Sequence, residues 1–317
     1  MKKLFGVVCA TITPMSKEGK IDIESARRLY SYLADEEIHC LYPNGTNGES
    51  LSLSAEERMD LAKTAVQAGK GKQSIYIQCG ASTVKETYQH VLNAKQIDAD
   101  GAGVMTPVFF PMDEAAMEQY YVELLEQTGD FPIYVYCIPT RAGNDFSPAL
   151  LGKLMDAYPA LQGVKYSYPD LVRLKAYRNA PSARKADALI GCDLLAHCCM
   201  ISGGTGWVSG PAAVFPKLHV RLYHQIMENQ MTAAQKTQEQ ISQILGQMSD
   251  IPEIPAIKYM LMKAGILATD TVRMPLRMLN QTEKQRLDRL LADTEVAVVR
   301  GDFGGRNVYD GFSSAGT

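Results

Sequence analysis

Apolar residues in this chain gather into short continuous runs, separated by longer stretches with helical spacing. The runs are Gly6–Ile12, Ile38–Tyr42, Ser74–Cys79, Gly103–Thr106, Ile133–Cys137, Gly163–Tyr166, Ala188–Gly191 and Gly206–Ser209. Because they are continuous and do not alternate with polar residues, they predict eight strands covered on both faces. The stretches between carry helix signals. Ser54 with Glu57 forms a capping box ahead of Met59, Leu61 and Ala62, and Thr83 with Glu86 forms another before Tyr88, Val91 and Leu92. Ser147 followed by Pro148 is an N-cap and first-turn pair opening "ALLGKLMDAY".

Eight β–α units in about 220 residues predict an α/β fold of the (β/α)8 barrel type over residues 1–225. An open doubly wound sheet would want G-x-G-x-x-G after its first strand, and none is present. After Phe215 no strand pattern recurs. Amphipathic stretches at about Pro216–Ser249, Ile254–Gly265 and Thr282–Val299 predict helices, so residues 226–300 read as a helical C-terminal extension. Residues 301–317, "GDFGGRNVYDGFSSAGT", read as a flexible tail.

Composition narrows the function classes. The 317 residues are 46% hydrophobic and 21% charged with a net charge of −3, ordinary for a globular protein and without the basic footprint of a nucleic-acid binder. No apolar run reaches the ~20 residues of a membrane span. Lys2-Lys3 before Leu4–Ile12 resembles a short leader, but Thr11, Thr13 and Pro14 interrupt the run, and a buried first strand is the expectation. The seven cysteines lack any C-x-x-C spacing, which suits buried thiols in a reducing cytoplasm. The five histidines show no metal-ligand spacing, and no G-x-S-x-G nucleophile motif occurs.

In a barrel the chemistry sits at the carboxyl ends of the strands. The second predicted strand runs into "YPNGTNGES", where Asn44-Gly45 and Asn47-Gly48 are adjoining turn dipeptides. Such a turn either connects strand to helix or offers backbone amides to an anion. Lys165 lies inside the sixth predicted strand, in "LQGVKYSY". Burial there lowers an amine's proton affinity and frees it to attack a carbonyl, whereas a snorkelling or ion-paired lysine would stay inert. Tyr136 ends the fifth strand, either as a proton carrier or as a core aromatic with a wet tip. Arg141, in the following loop, either clamps a carboxylate or is an ordinary surface arginine.

"GTNGES" (Gly45–Ser50), "YCIPTRAG" (Tyr136–Gly143) and "GVKYS" (Gly163–Ser167), with "ITPM", "TPVFFP" and "ATDTVRMPL", resemble the dihydrodipicolinate synthase / N-acetylneuraminate lyase family over about residues 5–295. The resemblance implies class I chemistry without metal or organic cofactor. It also implies a homotetramer of two tight dimers, acting on a small 2-oxo acid and an aldehyde. Lys165 matches the lysine that forms an imine with pyruvate or another 2-oxo acid. Tyr136 matches the proton-shuttling tyrosine. Thr46 and Asn47, with Gly45, match the turn that holds the oxo acid's carboxylate, and Val208 matches a main-chain contact to it.

Departures from the pattern bear on the second substrate. The resemblance places a relay tyrosine in "TPVFFP", where this chain has Phe109. Arg141 matches the arginine that grips the carboxylate of aspartate semialdehyde, which points toward 4-hydroxy-tetrahydrodipicolinate synthase activity. The Asp-Glu pair of the sialic acid branch reads Asp193-Leu194 here, which makes sialic acid cleavage the weaker expectation. Ser82 and "SAEER" do not match the lysine feedback site of some synthases. A 2-oxo-3-deoxy sugar-acid aldolase or dehydratase is the alternative enzyme, and a non-catalytic 2-oxo acid sensor the alternative of another class.

Overall fold

The computed structural model describes residues 3–293. Eight parallel strands close into a barrel in chain order: β1 (Gly6–Cys9), β2 (Cys40–Leu41), β3 (Ser74–Gln78), β4 (Gly101–Met105), β5 (Ile133–Cys137), β6 (Leu161–Tyr166), β7 (Asp187–Ile190) and β8 (Gly206–Ser209). β8 pairs back onto β1, with Gly6 opposite Gly206 and Val8 opposite Val208. Each predicted run holds one of these strands, with ends shifted by a few residues. Gly6–Ile12 and Ile38–Tyr42 contain only four and two ladder residues, although the Ala10 and Tyr42 amides still donate to the Ser209 and Cys9 carbonyls of neighbouring strands.

Period-two alternation sorts the strand side chains. Val8, Cys40, Tyr42, Tyr76, Tyr134, Leu189 and Val208 fill the barrel interior. Their neighbours Val7, Leu41, Val135, Val164 and Ile190 face outward into one continuous layer beneath the helices. Both faces of each strand are therefore dry, which is why the strands read as unbroken apolar runs.

The outer layer is α1 (Ile23–Asp35), α2 (Ala55–Gly69), α3 (Val84–Gln96), α4 (Glu114–Thr128), the single-turn α5 (Pro139–Ala142), α6 (Pro148–Ala157), α7 (Leu171–Arg178), α8 (Ala196–Ile201) and α9 (Pro216–Met227). Ser54 and Glu57 form the reciprocal capping box of α2, and Ser147 caps α6 ahead of its Pro148. At α3 the Thr83 side chain accepts from the Glu86 amide, satisfying one otherwise unpaired donor.

The C-terminal extension is α10 (Met231–Met248), α11 (Glu253–Lys263) and α12 (Gln281–Asp293). One helical stretch was expected over Pro216–Ser249; the chain instead breaks at Glu228–Gln230, where Asn229 adopts a left-handed backbone (φ 58°). Asparagine tolerates that conformation and ends α9. The boundary drawn at 225 thus falls in the last turn of α9. The expected continuation of the last helix to Val299, and the tail 301–317, lie outside the described residues.

Candidate active site

β5 and β6 are paired so that Tyr136 stands directly opposite Lys165. Both side chains point into the barrel near its carboxyl end, one step above the interior layer containing Tyr134. Lys165 is 3% exposed. Its Nζ lies 3.6 Å from the centre of the Tyr136 ring and 4.5 Å from that of Tyr42. No carboxylate among the described residues comes within ion-pair distance of it. Burial alone pushes the amine down to about 7, so roughly half of it is neutral at pH 7, against about one part in a few thousand for a solvated lysine.

Tyr42 is held under the lysine by a glycine. A Cβ at Gly103 would overlap the Tyr42 hydroxyl, so only a residue without a side chain lets that ring sit so deep. The Tyr136 hydroxyl lies 3.0 Å from Thr46 Oγ1. Burial raises the proton affinity of the phenol, while hydrogen bonds from Thr46 and Ser167 and the nearby Arg141 charge oppose that rise. The lysine thus rests on the ring of a tyrosine whose hydroxyl is hydrogen-bonded to the threonine.

The turn bearing Thr46 is fixed from three sides. Asn44 has a left-handed backbone (φ 62°), and its Nδ2 donates to the carbonyl of Arg58 on α2 at 2.8 Å. The Gly48 carbonyl accepts from Thr13 Oγ1 at 2.7 Å, which assigns a task to the "ITPM" segment. Glu49, also left-handed (φ 56°), is buried against the fully buried Lys258 of α11 at 2.5 Å. Lys258 donates further to the Thr271 carbonyl, and Glu49 accepts from the Arg273 amide at 3.0 Å. The "ATDTVRMPL" segment therefore braces the turn from the C-terminal side.

A cavity of about 440 Å³ opens above this set, within the size range of small-molecule sites. Thr46, Asn47, Tyr136, Arg141, Lys165 and Val208 all line it. Gly45 does not; it is buried behind the turn against the Tyr42 ring. Phe109 also stays outside. It is 85% exposed with φ 78°, packed edge-on against Phe110, and tied by its amide to the Ala142 carbonyl.

Four further residues belong to the site. Tyr42 ends an apolar run and carries no sequence mark beyond that. Ser167 follows Lys165 by two residues, on the same face of the strand end. Asp193 lines the cavity with its Oδ1 buried and unpartnered, 3.7 Å from His219 Nδ1. That nitrogen already accepts from Trp207 Nε1 at 3.1 Å, so it offers Asp193 no proton. Burial accordingly pushes the Asp193 carboxyl up to about 7. Glu253, in the first turn of α11, accepts from Asn47 Nδ2 at 3.1 Å. An acid in a first helical turn is common for dipole reasons alone, which hid it in the sequence.

A closed parallel barrel with a buried amine and phenol at its carboxyl end defines the class: a (β/α)8 protein whose site has the position and chemistry of an enzyme's. Residues 3–294 match the Dihydrodipicolinate synthetase family, and the chain belongs to that family of lyases and aldolases. It is 30% identical over 293 residues to 4-hydroxy-tetrahydrodipicolinate synthase of Jannaschia sp. (strain CCS1), covering 90% of this chain and 97% of that one. It is 34% identical over 211 residues to N-acetylneuraminate lyase of Rattus norvegicus, covering 65% and 66%. Its fold matches the crystal structure of dihydrodipicolinate synthase from Aquifex aeolicus with a TM-score of 0.87 at 22% identity, over 94% of this chain and 100% of that one. No helix among the described residues is long and apolar enough to cross a membrane.

Proposed function

We propose that this chain is a pyruvate-dependent lyase working through an imine on Lys165, without metal or organic cofactor. The observation that carries the reading is the buried, unpaired lysine amine stacked on Tyr136, itself hydrogen-bonded to Thr46. The neutral amine adds to C2 of the 2-oxo acid, and loss of water from the adduct leaves an iminium. Tyr136, backed by Thr46, supplies the proton that the departing hydroxyl needs. The iminium withdraws electrons from C3, whose proton passes to the Tyr136 phenolate left by the dehydration step, giving an enamine. The enamine carbon then attacks the aldehyde carbonyl, forming the C–C bond, and hydrolysis of the product imine restores the amine. Run backwards, the same steps cleave a 4-hydroxy-2-oxo acid.

The substrate carboxylate is assigned to the turn at Thr46 and Asn47, with Val208 opposite. Two acceptors fit the cavity wall. Arg141 supports a short acidic aldehyde such as aspartate semialdehyde, as in 4-hydroxy-tetrahydrodipicolinate synthase. Asp193 and Glu253 support a hydroxylated aldehyde, making the product or substrate a 2-oxo-3-deoxy sugar acid. Family resemblance supports a tetramer of two tight dimers, with the exposed Phe109 and Phe110 facing a second copy. Seven free thiols, five of them buried, support a reducing cytoplasm.

Reductive trapping tests the core of this reading. Incubation with pyruvate and borohydride should leave a stable adduct on the peptide containing Lys165, absent in Lys165→Ala. Trapping should fall as the pH drops below about 7, where the amine becomes protonated. A folded, active protein that remains unlabelled at Lys165 would exclude the imine.

A further inference from the structure

Imine chemistry employs Lys165, Tyr136 and Thr46 and leaves the residues facing the second substrate without assigned tasks. Their charges are uneven. Arg141 contributes a guanidinium that makes no hydrogen bond to the described residues, whereas Asp193 and Glu253 contribute two carboxyl groups. Glu253 leans over the oxo-acid turn. Its Oε1 takes the Asn47 amide at 3.1 Å and would stand 2.8 Å from a Cβ at Gly210. Its Oε2 has no hydrogen-bond donor among the described residues. The Glu253 charge also reaches Tyr136 and Asp193, raising the proton affinity of both.

Glu253 is exposed at the cavity mouth, whereas Asp193 Oδ1 is a buried acceptor without a donor; its carboxyl takes a hydrogen bond from Ser209, and the adjacent His219 nitrogen is itself an acceptor. This part of the wall is therefore weighted toward acceptors, with Arg141, Thr140 and Ser167 as the donors across the cavity. An acceptor aldehyde bearing only a carboxylate would bring a further negative charge toward Glu253 and Asp193, with the Arg141 guanidinium to answer it. An aldehyde bearing a hydroxyl or an ammonium within two carbons of the carbonyl would bring an N–H or O–H to the Glu253 carboxylate.

We infer that Glu253 is the specificity residue for the second substrate. It selects aldehydes with a hydroxyl or ammonium donor within two carbons of the carbonyl and disfavours those whose only other polar group is a carboxylate. The inference rests on the imine reading above. Arg141 and Glu253 then act as a pair: the guanidinium receives a carboxylate where the acceptor has one, and the glutamate receives the donor.

The test uses the full chain with pyruvate and three aldehydes: glyceraldehyde, which is hydroxylated and uncharged; aspartate semialdehyde, with ammonium and carboxylate; and succinate semialdehyde, with carboxylate alone. The expected kcat/KM for succinate semialdehyde is at least about tenfold below that of the better of the other two, and which of those is better assigns the donor as hydroxyl or ammonium. Glu253→Gln should narrow that gap by about tenfold, and Glu253→Asp, which keeps the charge, should preserve the order. An unchanged ratio in Glu253→Gln, or a parent protein preferring succinate semialdehyde, overturns the inference. The parent's order of preference decides if Glu253→Gln does not fold. Borohydride trapping of the parent with pyruvate alone separates the two levels. An adduct combined with the wrong order sinks this inference only, and no adduct sinks the imine reading with it.

Discussion

Lys165→Met should make the protein more stable while abolishing its proposed chemistry. Lysine ordinarily titrates at 10.5, and burial moves Lys165 down to about 7. In the unfolded chain the amine is protonated at neutral pH, so folding at pH 7 must strip or bury that charge at a cost of about 4 kcal/mol. The folded state binds fewer protons than the unfolded state between about pH 7 and 10.5, so the parent's stability rises across that window. The cost falls to about 2 kcal/mol at pH 9 and vanishes above 10.5. Methionine matches the lysine stem in shape and packs well against the Tyr42 and Tyr136 rings without any charge. Urea denaturation of parent and variant at one protein concentration, at pH 7, 8 and 9, measures the difference; equal concentrations matter because assembly adds apparent stability. The variant should lead by about 4 kcal/mol at pH 7 and by about half that at pH 9. A variant no stronger than the parent at pH 7, or a lead that does not shrink with rising pH, would refute the claim that burial sets the amine's proton affinity.

Two other substitutions probe the supports around that amine. Tyr136→Phe removes the hydroxyl bonded to Thr46 and should lower kcat by about 10²–10⁴-fold, with the ring under Lys165 retained and imine trapping slowed in parallel; unchanged kcat would remove tyrosine from the proton path. Lys258→Met leaves the Glu49 carboxylate buried without its cation and should cost about 3–5 kcal/mol in urea denaturation, whereas a loss under about 1 kcal/mol would mean that the pair does not brace the turn.

The barrel was legible because each strand is dry on both faces, and continuous apolar runs such as Ile133–Cys137 coincide with strands. Lys165 was legible for the opposite reason: a charge in a dry strand contradicts its surroundings. Glu253 and Tyr42 were not legible. One reads as a first-turn acid and the other as the end of an apolar run, and only tertiary contact gives either a task. Glu253 meets Asn47 across 206 residues of chain, and Tyr42 reaches its depth because of Gly103 on another strand. The break at Asn229 was hidden too, since the amphipathic pattern continues on both sides of it.

Tyr136 and Lys165 are opposing rungs of one parallel ladder, and their separation is set by backbone pairing. Arg141, Asp193 and Glu253 arrive instead on segments that follow the strands or lie beyond the barrel. On the proposed imine reading, the covalent step and the choice of partner molecule are thereby uncoupled. A lineage can retune the rim for a new aldehyde, residue by residue, while the nucleophile keeps its geometry and reactivity.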